Sequence, residues 1–511
     1  MPAGYVVSPL PDKRFRIIIF AWVALISIVL FAQAMSAGLN HDEQQFVSGG
    51  QLLASHGLLP YRDFPYFHMP ILAMLDAMLF AHTHHLLLVA RASSVLCAGL
   101  SLAAIVGMAY VAQGAGQANR KLLTAMIVGS LLFANPIFIS SYFRTWNQAL
   151  PLLLTLLTIA CHWRGAIVGQ SRWFGFSGIL VALAFGTRLT FAPLALPFLV
   201  MTWLTPGSGR SRLAHAASFC AGLIFGAIPS LLFIAKDPVA FLFDNFVYNG
   251  PVNIAFRGPQ AAFWPGLWGK TIFLLHLVIQ PANFTLLAAF AALNLFTSPR
   301  GNNLYLRRVV WLLLPFAFLG ALAATPSYPQ YYYPVVALLV AGILPALADD
   351  PGNVLDFRRR QIFLLVALGA GSITAAWECR RCVVTLLQPS EWVATQIHRE
   401  AADLKALVPK GAILTFAPVT PLEAGLDIYP AFATGPFAWR TARFLTPWQR
   451  ARFGFVGRDD LENLLAAHPP SGILTGYDQK KEISFTEYAM KHGYTKINLR
   501  RNRTLWLPPH P

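Results

Sequence analysis

Residues 17–45 read IIIFAWVALISIVLFAQAMSAGLNHDEQQ, an apolar run that ends shortly before two adjacent carboxylates, Asp42 and Glu43. A helix of about 20 apolar residues is long enough to cross the hydrocarbon core of a bilayer. The run therefore predicts a first membrane span, and the polar residues behind it predict a loop at the membrane surface.

The composition extends this interpretation to the whole chain. Of its 511 residues, 56% are hydrophobic and only 12% are charged, and the mean hydropathy is +0.53, which is far from the composition of a soluble domain. Apolar runs recur between short polar loops, so we predict an all-α polytopic membrane bundle. The predicted spans, about eleven in number, cover residues 17–37, 87–112, 122–140, 146–163, 174–188, 190–204, 213–235, 272–297, 309–324, 331–348 and 361–377.

One apolar segment is too short to count as a span. Residues 70–83, PILAMLDAMLFAHT, contain Asp76 and would invert every later loop if they crossed the bilayer. We therefore assign them to a short re-entrant or interfacial helix in the first outer loop, which covers residues 38–86. Residues 1–378 then form the transmembrane domain.

Lys and Arg near the span ends predict the orientation, because basic loops stay in the cytoplasm. With the N-terminus inside, fifteen basic residues fall in cytoplasmic loops, namely Lys13, Arg14, Arg16, Arg120, Lys121, Arg164, Arg172, Arg210, Arg212, Arg300, Arg307, Arg308, Arg358, Arg359 and Arg360. The opposite loops hold seven, namely Arg62, Arg91, Arg144, Arg188, Lys236, Arg257 and Lys270. This difference predicts a cytoplasmic N-terminus and a C-terminal segment outside.

From residue 379 onward the sequence becomes more polar. Short β-like runs at 412–416 and 473–475, with amphipathic helical patterns near 391–407 and 458–467, predict a small soluble α/β domain over residues 379–511. Its role, either acceptor binding or capping of the bundle, stays open. Cys379 and Cys382 follow the last span, and we expect them to form a structural disulfide or to remain free thiols.

The formal net charge of +17 raises the question of nucleic-acid binding. The basic residues alternate with the spans instead of clustering, which indicates membrane topology and attraction to anionic headgroups. The sequence contains no nucleic-acid motif and no Gly-rich phosphate loop. We therefore expect membrane lipids, and not nucleic acid, as partners of these residues.

The predicted topology brings polar residues from several loops to the outer face. They are Asp42, Glu43, Arg62, Asp63, His68, residues 144–147, Thr187, Arg188, the 236–270 loop and residues 328–333. Adjacent carboxylates can deprotonate a hydroxyl or hold a divalent cation, and arginines can bind a lipid phosphate. Each element alone also has a structural interpretation, the acidic pair as a solvated surface and Arg188 as a snorkelling side chain.

Several segments resemble, in chain order, the motifs of a known family. They are Asp42–Glu43, Gly49–Gly50, Pro60–Phe64 (PYRDF), His68–Pro70 (HMP), Arg91, Asn135–Pro136, Arg144–Thr145, Gly186–Arg188 (GTR) and Gln330–Pro334 (QYYYP). Together they resemble the polytopic C-superfamily (GT-C) glycosyltransferases, the group that includes protein O-mannosyltransferases and lipid A aminoarabinose transferases. The likeness extends over residues 15–380.

The resemblance implies that a sugar is transferred, with inversion, from a polyprenyl-phosphate donor to an acceptor hydroxyl. It implies that Asp42 is the general base or the carboxylate that orients the acceptor, with Glu43 in support. The residues expected to bind the donor phosphate or lipid are Arg188, Arg144, Arg62, Tyr331 and His68. Of these, His68 would orient the phosphate or the first loop. Those expected to line the substrate cavity are Tyr61, Asp63 and Asn147.

Two departures from the family pattern bear on this interpretation. Relatives often carry an Asp where this chain has Asn147, and Met69 replaces the first proline of a His-Pro-Pro motif. Asn147 argues against a two-carboxylate metal site, so a Mg²⁺ or Mn²⁺ cofactor held by Asp42 and Glu43 stays an open question. The sugar and the glycan, lipid or protein acceptor stay open as well.

Two other functions agree with the same residues. One is a transporter or flippase of a lipid-linked sugar, because intramembrane polar residues also mark substrate paths. Transporters usually show internal repeats, and no half of this sequence is duplicated. The other is a noncatalytic relative that binds a lipid-linked sugar. The compact loops lead us to expect a bacterial inner-membrane protein in glycan or lipopolysaccharide biosynthesis, with its site at the periplasmic face.

Overall fold

The computed structural model describes residues 13–113, 118–258, 266–348, 354–380 and 382–509. The α-helices in these ranges are α1 Lys13–Ser36, α2 His41–His56, α3 Ile71–Phe80, α4 Leu86–Ala112, α5 Ala118–Ala134, α6 Pro136–Tyr142, α7 Ala149–Val168, α8 Ser171–Thr187, α9 Ala195–Trp203, α10 Gly209–Ile234, α11 Pro238–Leu242, α12 Asn253–Arg257, α13 Gly266–Val278, α14 Pro281–Leu295, α15 Gly301–Ala323, α16 Tyr333–Ala348, α17 Val354–Glu378, α18 Cys382–Leu387, α19 Val393–Leu407, α20 Val419–Glu423, α21 Pro436–Thr441, α22 Pro447–Phe453, α23 Arg458–Ala467 and α24 Ile483–Lys491. The all-α membrane bundle predicted from the apolar runs is confirmed.

The chain is a multi-span membrane protein. Within the described ranges, seven helices are long and apolar enough to cross a membrane, and the number is nine if two bent pairs each form one span. The bent pairs are α5 with α6, at 71°, and α13 with α14, at 85°. The two other predicted spans correspond to α8 and to the stretch Leu189–Trp203. With 17 residues, α8 has a length of about 25 Å, which is less than a typical hydrocarbon core.

Small residues allow the bundle helices to approach closely. A Cβ atom at Gly178 of α8 would lie 2.2 Å from Phe219 O of α10, and one at Gly222 of α10 would lie 2.0 Å from Gly175 O. Close backbone contact between small residues is a common way for helices to associate in membranes, where apolar burial provides little driving force. This contact fixes α8 against α10.

The end of α1 lies beside the segment that follows α17. Cys379 Sγ is 3.7 Å from Gln33 Oε1, and the Phe31 and Trp392 rings contact each other with centroids 5.3 Å apart. Because α1 is about 36 Å long, Lys13 lies at the end of the bundle away from Cys379. Cys379 and Cys382 are both free thiols, one of the two expected states.

A five-stranded sheet follows the last span. Its strands are β1 Ala412–Leu414, β2 Asp427–Ile428, β3 Gly472–Thr475, β4 Thr495–Asn498 and β5 Thr504–Leu507. Their order is β2-β1-β3-β5-β4, with β1 parallel to β2 and β3, and with β5 antiparallel to β3 and β4. The β-like runs predicted a strand at each of β1 and β3, and the amphipathic patterns predicted α19 and α23. These predictions are confirmed.

The predicted short helix of the first loop is α3, and it packs against α2. A Cβ atom at Gly50 would lie 2.5 Å from Asp76 Cβ, so glycine is required for this approach. The π-helical segment Phe243–Val252 lies against the same loop, because the Phe67 and Tyr248 rings stack with centroids 3.5 Å apart. Of the residues singled out from the sequence, 259–265 and the side chains of Arg120, Arg358 and Arg359 lie outside the described part.

Candidate functional site

The start of α2 is fixed by its own sequence. Asn40 Oδ1 accepts a hydrogen bond from Glu43 N at 3.0 Å, and Glu43 Oε2 accepts one from Asn40 N at 3.4 Å. This reciprocal pair is a capping box, which determines where a helix begins. Asp42 therefore lies in the first turn, where the helix dipole favours a negative charge.

Glu43 is fully buried and forms an ion pair with Arg91 of α4. Arg91 Nε and Nη2 donate to Glu43 Oε1 and Oε2 at 2.8 and 2.7 Å, while Arg91 Nη1 donates to two carbonyls at the end of α1. Glu43 Oε1 also accepts a bond from Thr145 N at 3.1 Å. Both carboxylate oxygens are occupied, so Glu43 fixes α2 against its neighbours and has no free atom for a substrate.

Three arginines act on the carboxylate of Asp42 from three different parts of the chain. They are Arg144 after α6, Arg188 after α8 and Arg440 of α21. Arg144 Nε and Arg440 Nε are buried and have no hydrogen-bond partner among the described residues. Buried guanidinium donors without partners are costly, and an anionic ligand would satisfy them through charge-assisted hydrogen bonds.

Asp42 is the half-buried member of the acidic pair. Burial raises the pKa of its carboxyl above the ordinary value of 3.8, and Glu43 contributes to the increase. Arg440, Arg188 and Arg144 act in the opposite direction and lower the pKa. A raised pKa makes a carboxylate a stronger base, and the arginines keep the charged form accessible.

A chain of polar contacts connects Arg188 with Asp42. Arg188 Nη1 donates to Asn147 Oδ1 at 2.8 Å, so Asn147 Nδ2 faces His68 Nδ1 at 3.2 Å. The amide of Gln45 lies 3.1 Å from His68 Nε2 and 3.5 Å from Asp42 Oδ1. Burial, and then the charge of Arg188, lowers the pKa of His68 to about 3. The imidazole is therefore neutral, and it connects side chains instead of supplying a charge for a phosphate.

Tyr61 holds the backbone of His68 in place within the first loop. Its hydroxyl donates to His68 O at 2.5 Å, and its side chain is buried. The backbone of Tyr61 has a φ of 71°, a conformation that is uncommon for a bulky residue. Tyr61 thus positions the loop, and its hydroxyl is not free to line a substrate cavity as predicted.

Tyr331 lies between the arginines and an apolar groove. The guanidinium of Arg188 is 4.7 Å from the centroid of the Tyr331 ring, and Tyr331 belongs to the one-turn 3₁₀ helix Pro329–Tyr332. The next residue, Tyr332, lines a groove of about 340 Å³. Other lining residues are Leu274, Leu286, Phe290, Phe318 and Leu339, from α13 to α16. One turn of chain therefore joins a cationic site to an apolar groove between bundle helices.

The first loop forms one wall of the site, and the segment after residue 379 forms a second wall. Gln44 Oε1 accepts a hydrogen bond from Val419 N at 3.0 Å, and Ser48 Oγ donates to Ala433 O. His41 lies edge-on to Tyr477, with ring centroids 5.1 Å apart. These contacts place the sheet-bearing segment against α2, directly beside Asp42.

The whole arrangement is similar to solved structures of membrane proteins. ArnT from Cupriavidus metallidurans bound to undecaprenyl phosphate matches with a TM-score of 0.58 and 16% sequence identity, over 97% of this chain and 98% of that one. The apo state of the same protein matches with a TM-score of 0.55 and 16% identity, over 96% and 97% of the two chains. The chain has the GT-C fold.

An Archaeoglobus fulgidus oligosaccharyltransferase tethered to an acceptor peptide also matches, at 12% identity over 98% of this chain and 74% of that one. Its TM-score of 0.49 is lower than that of either ArnT structure. No protein-family model and no curated protein matches the sequence. The likeness to ArnT thus establishes the fold of this chain but not its activity.

The GT-C fold brings most of the predicted residues together, but not Arg62 and Asp63. Arg62 Nε and Nη2 donate to the two carboxylate oxygens of Asp63 at 2.9 and 2.7 Å, and the Arg62 side chain is 47% exposed. Asp63 Oδ2 also accepts a bond from Leu59 N at 2.7 Å. The prediction that Arg62 binds phosphate and Asp63 lines the cavity is not supported, because the two satisfy each other.

Sequence reasoning missed three groups of residues in the site. The capping box of Asn40 and Glu43 was visible as an Asn-x-x-Glu pattern before a helix. Arg91 was noted as a motif, but its pairing with Glu43 joins positions 48 residues apart. Arg440 carries no sequence signal at all, since only the docking of the C-terminal segment brings it to Asp42.

The residues around Asp42 do not form a Mg²⁺ or Mn²⁺ site. Such ions prefer six oxygen ligands, several of them anionic. Here Glu43 is saturated by Arg91 and backbone groups, Asn147 Oδ1 accepts from Arg188, and three arginines surround the remaining carboxylate. This set of donor atoms does not suit the cation that the acidic pair suggested from sequence. No catalytic step is assigned to such a cation.

Proposed function

We propose that this protein is an integral-membrane glycosyltransferase that moves a sugar from a polyprenyl-phosphate donor to an acceptor hydroxyl. The observation that carries the proposal is the juxtaposition of Asp42, three arginines, two of which have an unused Nε donor, and an apolar groove one turn away. A polyprenyl phosphate has the same two parts, an anionic head and a long apolar tail.

The lipid part of the donor fits the groove. Its lining comes from α13, α14, α15 and α16, which belong to the membrane bundle, and its walls are almost entirely aliphatic and aromatic. Tyr332 lines this groove and adjoins Tyr331, which lies under Arg188. A prenyl chain in the groove would therefore place its phosphate beside Arg188. The similar ArnT structure, which is bound to undecaprenyl phosphate, agrees with this assignment.

The phosphate is the leaving group of the reaction. Arg144, Arg188 and Arg440 place positive charge near Asp42, and the Nε atoms of Arg144 and Arg440 have no hydrogen-bond partner among the described residues. The negative charge on the phosphate increases as the bond between C1 of the sugar and the phosphate oxygen breaks. Preorganised cations of this kind stabilise developing charge in the transition state more than in the ground state.

Asp42 acts on the acceptor. As the acceptor oxygen forms its bond to C1, its proton passes to the Asp42 carboxylate, and polyprenyl phosphate leaves from the opposite side of C1. The anomeric centre is inverted. A general base contributes about 10²–10⁴-fold to such a step. The neutral His68, held between Gln45 and Asn147, keeps the first loop in register with Arg188.

The location of the site supports the membrane topology that the basic loops predict. Asp42 lies at the end of the bundle that adjoins the sheet, and Lys13 lies at the other end. We propose that residues 1–378 form the transmembrane domain, with its first outer loop at 38–86, and that residues 379–511 form a periplasmic domain. The basic loops then face the cytoplasm of a bacterial cell, and the transfer takes place at the periplasmic face of the inner membrane.

The test uses the full chain in detergent with a panel of polyprenyl-phosphate sugars. Release of free polyprenyl phosphate is compared for wild type, Asp42→Asn and the control Asp427→Asn, whose carboxylate is exposed and pairs with His56. We expect release from one donor class in wild type and control, and a loss of about 10²–10⁴-fold in Asp42→Asn. Added Mg²⁺ or Mn²⁺ is expected to leave the rate unchanged. No release from any donor, or release unaffected by Asp42→Asn, would favour a flippase or a binding protein.

A further inference from the structure

A second cluster of ionisable side chains lies apart from Asp42, where the first loop meets the C-terminal segment. It consists of His85, directly before α4, His398 of α19 and Glu423 at the end of α20. One ligand atom from each lies within 4.8 Å of the other two. His85 is more than 300 positions away from the other two residues, so only the folded state brings the three together.

The contacts within this cluster are specific. His398 Nδ1 lies 3.1 Å from Glu423 Oε1, and the rings of His85 and His398 have centroids 3.9 Å apart. Glu423 is only 3% exposed, and its other oxygen accepts a bond from Leu87 N at 3.4 Å. The carboxylate is therefore buried against two imidazoles, and an imidazole carries a positive charge only when it is protonated.

We propose that His85, His398 and Glu423 bind a divalent transition-metal ion of the Zn²⁺ type. Two imidazole nitrogens and one carboxylate oxygen are a donor set that suits Zn²⁺. The ligand atoms of a tetrahedral Zn²⁺ lie about 3.3 Å apart, so the largest separation in the cluster needs to shrink by about 1.5 Å at most. His85 is exposed and precedes a helix, so it is free to make this adjustment, and water completes the fourth position.

The ion would connect the membrane bundle to the wall of the site. Glu423 ends α20, and Val419 at the start of the same helix donates to Gln44, the neighbour of Glu43. His85 precedes the first turns of α4, which also carry Arg91, the partner of Glu43. A metal at this junction thus fixes α20 and α4 relative to each other, and both helices hold the start of α2. Its role is structural, and the transfer reaction assigns no step to it.

The experiment measures metal binding and does not depend on any transferase activity. The full chain is purified with its affinity tag removed, stripped with a chelator, and titrated with Co²⁺ and then Zn²⁺. Wild type is expected to bind one Co²⁺ with the absorption spectrum of a tetrahedral site, and Zn²⁺ is expected to displace it. His398→Ala and Glu423→Gln are expected to bind Zn²⁺ at least ~100-fold more weakly.

His56→Ala is the matched control, because His56 is also exposed and pairs with a carboxylate of the C-terminal segment, Asp427. It is expected to bind one Zn²⁺ as wild type does. X-ray absorption of the Zn²⁺-loaded wild type counts the ligands without any variant, and the expected shell contains two imidazoles. A shell without imidazole, no binding in wild type, or equal binding by His398→Ala and Glu423→Gln would overturn the proposal.

Discussion

The two walls of the site differ in how their residues reach it. The first-loop wall, residues 38–70, is organised by local sequence, because Asn40 and Glu43 cap α2 and thereby place Asp42. The C-terminal wall, residues 419–440, reaches the site only through docking, by the Val419–Gln44 bond and by Arg440. The position of Asp42 is therefore set by a local motif, whereas part of its electrostatic environment is set by tertiary structure.

The largest expected effect concerns the buried pair behind the first wall. Glu43→Gln leaves Arg91 buried without its counter-charge, and breaking a buried ion pair in this way costs about 3–5 kcal/mol. We expect a strongly lowered thermal midpoint in detergent and a loss of activity with it. Asp63→Asn, which breaks the exposed pair with Arg62, is the matched control and is expected to lower the midpoint little.

If Glu43→Gln kept the wild-type midpoint but lost activity, Glu43 would act on the substrate directly. The first wall would then carry two reactive carboxylates, as the acidic pair suggested from sequence. That result would also contradict the assignment of Glu43 as the residue that positions α2 and of Asp42 as the residue that reacts.

The second wall is tested by Arg440→Gln. Removing one preorganised donor to a developing anion costs about 10²–10³-fold in kcat, and Arg440 also lowers the pKa of Asp42. As a base, Asp42 works only when it is deprotonated, so activity falls as the pH drops through its pKa. Without Arg440 this pKa is higher, and we expect the acidic limb of the pH profile to move to higher pH.

Arg443→Gln is the control for this shift, since Arg443 belongs to the same region and is exposed. Its pH profile is expected to match that of wild type. An acidic limb that moves equally in both variants, or in neither, would show that the C-terminal wall exerts no specific influence on Asp42.

The smallest expected effect concerns Arg62, which the family resemblance placed at the donor phosphate. In the structure it pairs with Asp63 at the surface, and exposed pairs contribute about 0–1 kcal/mol. Arg62→Gln is therefore expected to keep kcat/KM within about fivefold of wild type, while Arg188→Gln loses far more. A comparable loss of kcat/KM in both variants would show that Arg62 takes part in donor binding after all.

The sequence predicted the bundle, the strands at 412–416 and 473–475, and a site around Asp42 that includes Arg144, Asn147 and Arg188. Apolar runs and β-like runs report their own local structure, and short loops after predicted spans collect at one face. The structure pairs Arg62 with its neighbour Asp63, a competition that a motif does not reveal. Arg440 and Glu423 could not be found, because Asp42 and His85 respectively lie hundreds of residues away from them and meet them only when the C-terminal segment docks.

Asp42 is proposed to activate the acceptor hydroxyl, while other residues bind the donor. The most direct measurement follows one sample of wild type and one of Asp42→Asn through donor binding and then through single-turnover release of polyprenyl phosphate with acceptor present. We expect equal donor affinity in the two proteins and release that is slower by about 10²–10⁴-fold in Asp42→Asn. Release at the wild-type rate from Asp42→Asn, with donor bound equally, would contradict it.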